Sequence, residues 1–139
     1  MVILDTNVVS ELMRPESSPA VLKWLSQQHA QELYSTTITL AEILYGIELL
    51  PEGKRRGELL AGAERMFTNV LTDHIFTFED QAARAFAPIA SARRKSGKPI
   101  AELDAQIAAI ASVHGAALAT HNVSDFEGCR VRLINPWVD

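Results

Sequence analysis

The chain has 139 residues, 47% of them hydrophobic and 22% charged, with a formal net charge of −4 at pH 7. That length suits one compact domain with a single core, and the acidic balance argues against a protein that coats nucleic acid through a general basic surface. A lone cysteine, Cys129, excludes an internal disulfide and makes a poor zinc ligand, and no stretch resembles a membrane span or a signal peptide, so a cytoplasmic location is expected.

In chain order, the apolar run VIL ahead of Asp5 is short and uninterrupted, as expected of a strand buried on both faces. Residues 7–13 (NVVSELM) follow as a helix that Arg14 and Pro15 end. Beyond Pro19, the positions Val21, Leu22, Trp24 and Leu25 recur at helical spacing, and LYSTTI (33–38), rich in β-branched and aromatic residues, forms a second strand. Thr39 opens a helix through TLAEILYGIELL with Leu40, Ile43, Leu44, Ile47 and Leu50 on one face, closed by Pro51 and Gly53. Residues 54–71 continue helical, HIFTF (74–78) is a strand, and the next helix ends near Gly97. AELDAQIAAIASVHG is a helix with Ile107, Ile110, Ala111 and Val113 on its apolar face and Gly115 as its stop. AALAT (116–120) and VRLI (131–134) complete the strands. Strands alternating with helices pair in parallel through right-handed crossovers, so the expected fold class is α/β, a three-layer α/β/α sandwich around a central parallel sheet of about five strands. Such sheets bind ligands outside the carboxyl ends of their strands, where the strand order reverses.

Polar residues gather at those ends. Asp5 closes the first strand with no basic neighbour, and an unpartnered carboxylate there is costly. Asn122 and Asp125 follow AALAT, while Glu42 and Asp104 stand near helix starts. Three of these acids also have plain structural readings. Thr39-Leu40-Ala41-Glu42 has the spacing of a capping box. Asp104 suits the positive end of a helix dipole, an effect of about 0.3–1 kcal/mol, and Asp125 can cap a turn. Gathered at one edge, however, the acids repel one another and raise their own pKa values. A hard divalent cation such as Mg²⁺ or Mn²⁺ relieves that repulsion and equips the site for phosphodiester hydrolysis. Thr6, Asn7, Thr120 and Asn122 can then hydrogen-bond the carboxylates and fix their rotamers. Two basic clusters, Lys54, Arg55 and Arg56, then Arg93, Arg94, Lys95 and Lys98, read as cationic helix ends or as phosphate contacts.

In order along the chain, LDTNVVSE, TLAEILYGI, ELDAQIAAIA and LATHNVSDFEG resemble the four motif blocks of PIN-domain ribonucleases, in particular the VapC toxins of type II toxin–antitoxin systems. The closing INPW and the length resemble the FitB-like branch, and the resemblance covers residues 1–139 as a single domain. It implies a Mg²⁺- or Mn²⁺-dependent endoribonuclease toxin in which Asp5 and Asp104 correspond to metal ligands and Glu42 supports the metal. Some members carry Asp where this chain has Asn122. Asn122 is therefore assigned to hydrogen bonding around the metal and Asp125 to outer support or a second ion, which leaves one-metal and two-metal schemes open. The resemblance further implies a small cognate antitoxin that wraps the domain and presses an arginine into the acids, as well as a homodimer within a larger hetero-oligomer. Trp24, Leu49 and Leu50 are candidates for lining the antitoxin groove. Two other readings stay open at this point. One is a non-catalytic module that binds RNA or protein; the other is an aspartyl-nucleophile phosphatase, whose pattern requires a second Asp at the position of Asn7.

Overall fold

In the structure, a computed structural model that describes residues 1–139, five parallel strands form one sheet. They are β1 (Val2–Leu4), β2 (Leu33–Thr36), β3 (Ile75–Phe76), β4 (Ala117–Ala119) and β5 (Leu133–Ile134), in the order β3-β2-β1-β4-β5. Six helices connect them: α1 (Thr6–Met13), α2 (Pro19–Ser26), α3 (Thr37–Glu48), α4 (Lys54–Glu64), α5 (Asp80–Lys95) and α6 (Glu102–His114). This is the expected three-layer α/β/α arrangement. Its order reverses between β1 and β4, which places the switch point at the carboxyl ends of those two strands.

The two-residue period of the strands divides the core in two. Val2 and Leu4 of β1 and Ala117 and Ala119 of β4 face one layer, where they pack with Val8, Val9, Val21, Ile43 and Met66 under α1 to α4. Ile3 and Leu118 face the other, with Ile107, Ile110 and Ile89 from α5 and α6. Each fully buried aliphatic side chain contributes about 1.5–3 kcal/mol. Ala105, Ala108, Ala109 and Ala111 of α6 are fully buried. Side chains this small let the sheet and α5 approach α6 closely, so this layer packs tightly without large residues. Gly115 in the left-handed conformation (φ 62°) ends α6, as expected, and the Ala116 amide donates to the Ala111 carbonyl at 2.9 Å.

Several expectations shift locally, each for a visible reason. β2 stops at Thr36 instead of Ile38 because the Thr36 hydroxyl accepts from the Thr39 amide at 3.1 Å and caps α3. Thr39 is therefore an interior, buried helix residue, and the Thr39–Glu42 capping box does not form. The helix from residue 54 ends at Glu64 and widens into a π turn over Arg65–Val70, closed by the Leu71 amide on the Met66 carbonyl at 2.8 Å. Lys54, Arg55 and Arg56 lie in the first turn of α4, the positive end of its dipole, so the expected dipole benefit is absent. Arg56 instead donates to the Ile47 carbonyl and pairs with Glu48 at 3.1 Å. Trp24 is core, only 6% exposed, whereas Leu49 is exposed.

Gly62 marks where α4 crosses α1: a Cβ there would stand 2.7 Å from the Met13 carbonyl oxygen. Gly57, on the same helix, has open space around it. Gly62→Ala is expected to destabilise the fold by about 1–2 kcal/mol, overpacking outweighing the helix-propensity gain. Gly57→Ala should stabilise it by about 0.5–1 kcal/mol. Denaturant unfolding of the two variants checks the pair, and equal signs would remove the close-approach explanation.

Candidate active site

The β1–β4 ladder ends in the bond from the Asp5 amide to the Ala119 carbonyl at 2.9 Å, which sets Asp5 beside Thr120 at the switch point. Asp5 is 4% exposed, and its Oδ2 accepts from the Thr120 hydroxyl at 2.8 Å and from Asn7 Nδ2 at 3.1 Å. Both donors are neutral. The Thr120 oxygen in turn accepts from Asn7 Nδ2 (3.3 Å) and from the Asn122 amide (3.1 Å), while Asn7 Oδ1 accepts from the His121 amide at 2.9 Å. These contacts fix the orientation of the Asn7 side chain and tie the start of α1 to the loop after β4.

Two helix N-terminal regions and a 3₁₀ turn bring the remaining acids. The Thr36 cap turns the chain so that Glu42, in the second turn of α3, faces α1, where Oε1 accepts from the Thr6 hydroxyl at 2.8 Å. The Thr39 hydroxyl lies 3.2 Å from the Thr6 oxygen. Asp104 stands in the first turn of α6 and Asp125 in a 3₁₀ turn over Val123–Phe126. Asp5, Thr6, Asn7, Glu42, Asp104, Asn122, Asp125 and Phe126 line one open cleft of about 240 Å³. Of the expected site residues, only Thr120 lies behind the cleft wall, fully buried. Asn122 reaches the network through its backbone amide. A larger cavity of about 460 Å³ lies around Phe76 and His114, away from these acids.

No lysine or arginine lines the cleft, and none of its acids forms a salt bridge. Burial raises the Asp5 pKa, against the pull of its hydrogen bonds. The Asp104 carboxyl is pushed up to about 6 by burial and then by the charges of Asp5, Glu42 and Asp125. No three His, Cys, Asp or Glu side chains close tightly enough to enclose an ion by themselves. The donor set is nonetheless all oxygen, and a small hard cation that keeps most of its water needs only one or two direct carboxylates.

Arg93 is a site neighbour that the charge run concealed. Although it stands in a run of cations, it is 7% exposed and donates to the carbonyls of Lys98 (2.7 Å), Asp125 and Glu127 (3.1 Å). It thereby clamps the Asp125 turn onto α5, and its charge opposes the rise at Asp104. The buried positions Ala82, Ile89 and Arg93 recur on one face of α5, and that spacing was the available signal. Cys129, whose Sγ is 3.8 Å from Arg93, is fully buried, and burial pushes its thiol up.

The raised Asp104 pKa gives a signed expectation. Between about pH 4 and pH 6 the folded chain keeps a proton that the unfolded chain has lost, so this group's contribution to stability falls as pH rises through that window. Asp104→Asn should therefore raise the melting temperature of the metal-free protein by roughly 2–4 °C near neutral pH and leave it unchanged near pH 4. Calorimetry at both pH values checks this, and a lower melting temperature at neutral pH would show that Asp104 holds the fold together.

The family model for the PIN domain matches residues 2–127. The chain is 39% identical to VapC ribonuclease Y4jK of Sinorhizobium fredii, over 99% of this chain and 98% of that protein. It is 35% identical to Toxin FitB of Neisseria gonorrhoeae, over the whole of both chains. Among solved structures, FitAB bound to an IR36 DNA fragment superposes with a TM-score of 0.87 at 36% identity, covering 99% of this chain and 96% of that one. With a family match over most of its length, full-length relatives above 30% identity and the same fold, the chain belongs to the PIN-domain family.

Proposed function

We propose that the chain is a cytoplasmic toxin that hydrolyses RNA phosphodiester bonds as a Mg²⁺- or Mn²⁺-dependent endoribonuclease, and that a small cognate antitoxin neutralises it. The observation that carries this reading is the gathering of Asp5, Glu42, Asp104 and Asp125 around one cleft with no cation among its lining residues. A binding module has no use for that repulsion, whereas a hydrolase that holds a divalent ion does. The aspartyl-phosphatase alternative lacks its second acid, since Asn7 occupies that position and is engaged with Asp5, Thr120 and His121. The names VapC ribonuclease and Toxin FitB, borne by full-length relatives, support both the reaction and the toxin role.

In this reading Asp5 and Asp104 hold the ion, and Glu42 supports it. When bound, the ion polarises the scissile phosphoryl group and eases ionisation of water. Thr120 and Asn7 hold Oδ2 of Asp5, leaving Oδ1 free of side-chain donors, and Thr6 holds Oε1 of Glu42, leaving Oε2 free. Neutral donors of this kind fix geometry without cancelling the charge the ion requires. Asp125, clamped through its carbonyl by Arg93, and Asn122 supply outer contacts to the ion or to the phosphate. No helix is long and apolar enough to cross a membrane.

Beside the cleft, a groove of about 320 Å³ runs between α1, α3 and α4, lined by Met13, Ile43, Ile47, Leu50 and Leu59. It shares Thr6 and Glu42 with the acid cleft, so a segment laid there by its apolar side chains brings a guanidinium within reach of the acids. The structural neighbour FitAB is a complex bound to DNA, which supports such a partner. Leu44, Tyr45 and Leu49 stand exposed along α3 and favour association with a second copy or the antitoxin.

Asp5→Asn and Asp104→Asn are each expected to lower RNA cleavage by at least about 100-fold in Mg²⁺ or Mn²⁺ while the circular-dichroism spectrum is unchanged. EDTA should abolish wild-type cleavage. Cleavage that survives EDTA or either substitution would remove the metal-dependent reading, and an acid-stable phosphoaspartate would replace it with the phosphatase.

A further inference from the structure

The loop after β4 carries an aromatic pair that the acid chemistry does not use. The His121 imidazole stacks on the Trp137 indole, with ring centroids 4.1 Å apart and planes 13° from parallel. Trp137 is half-buried and packs against the core beneath β1 and β4, and its amide is held by Asn135 Oδ1 at 3.0 Å. His121 is exposed. Its backbone is not free: the His121 amide donates to Asn7 Oδ1 at 2.9 Å, and the same Asn7 donates to Asp5 Oδ2. One side chain thus ties the His121 backbone to the cleft carboxylate, and the stack on Trp137 orients the ring. The next residue, Asn122, lines the cleft itself.

We infer that His121, backed by Trp137, is a stacking platform for one nucleobase of a single-stranded RNA whose neighbouring phosphate lies in the acid cleft. This deepens the ribonuclease reading and rests on it. A chain of net charge −4 with four acids in its cleft gains little from coulombic attraction to a polyanion. Stacking supplies affinity that does not depend on that attraction, and every base has a π face to offer. The geometry suits that task. The imidazole has one face on the indole, and its exposure leaves the other open. The indole is anchored in the core, so little side-chain entropy is lost when a base docks. The platform also stands at the β1–β4 switch point, where parallel sheets bind their ligands. His121 is a positioning residue in this scheme, since it holds the substrate and leaves the reacting atoms to the acids.

The test measures binding in Ca²⁺, a hard cation that oxygen ligands accept without the strict octahedral geometry of Mg²⁺, with gel analysis to confirm that the RNA stays intact. A short fluorescein-labelled single-stranded RNA is titrated by anisotropy into wild type, His121→Ala and His121→Phe, beside an abasic RNA of the same length. His121→Ala should weaken binding by about 5- to 150-fold, His121→Phe should retain most of it, and base removal should weaken wild type but not His121→Ala. Because His121 is exposed, all three proteins should melt within a few degrees of one another. Equal binding by wild type and His121→Ala, equal binding of intact and abasic RNA by wild type, or no binding by wild type would each overturn the platform. If cleavage is still lost in Asp104→Asn, the ribonuclease reading survives that failure, so the two ideas fail separately.

Discussion

The structure depends on one constraint: a carboxylate has to be held at the end of a buried strand without a cation to neutralise it. Asp5 lies against a fully buried core, and its only side-chain partners are a hydroxyl and an amide. An arginine at that point would have formed a strong bidentate pair and occupied the coordination the acid offers. Neutral donors leave the group oriented with its charge uncancelled, at the cost of a raised pKa and some stability.

The rest of the architecture serves that point. The order β3-β2-β1-β4-β5 sets the end of β1 beside the end of β4, so the loop after β4 reaches Asp5 through Thr120 and Asn7. The Thr36 cap fixes where α3 begins and hence that Glu42 meets Thr6. The alanine-rich α6 lies close enough to the sheet for Asp104 to feel the charges of Asp5, Glu42 and Asp125. Arg93 supplies a fixed positive charge from the neighbouring helix α5, bound to carbonyls and not to the acids, so it moderates the field without filling the cleft.

Much of the molecule was legible in the sequence because parallel α/β folds advertise themselves in short apolar runs separated by helical periods. Strand existence, helix count and the Gly115 stop follow from local pattern. Boundaries did not follow, since the end of β2 depends on which threonine caps α3, and Thr36 and Thr39 are equivalent until the backbone is placed. The capping-box reading of Glu42 failed for that reason, and its bond to Thr6 joins residues 36 positions apart. The burial of Arg93 within a run of cations leaves no mark on residue type, because burial is decided by neighbours distant in sequence.

By itself, the sequence determined the fold class, the family blocks and the residue types available for chemistry: four acids, each following or opening an element at one edge of the sheet. Only the tertiary structure decided which partners hold each acid, that no cation enters the cleft, and that His121 lies on Trp137 beside it. The division has a physical cause. Periodicity and capping act over a few residues and leave a local trace, whereas hydrogen bonds, stacking and charge repulsion act through space between segments up to 115 residues apart.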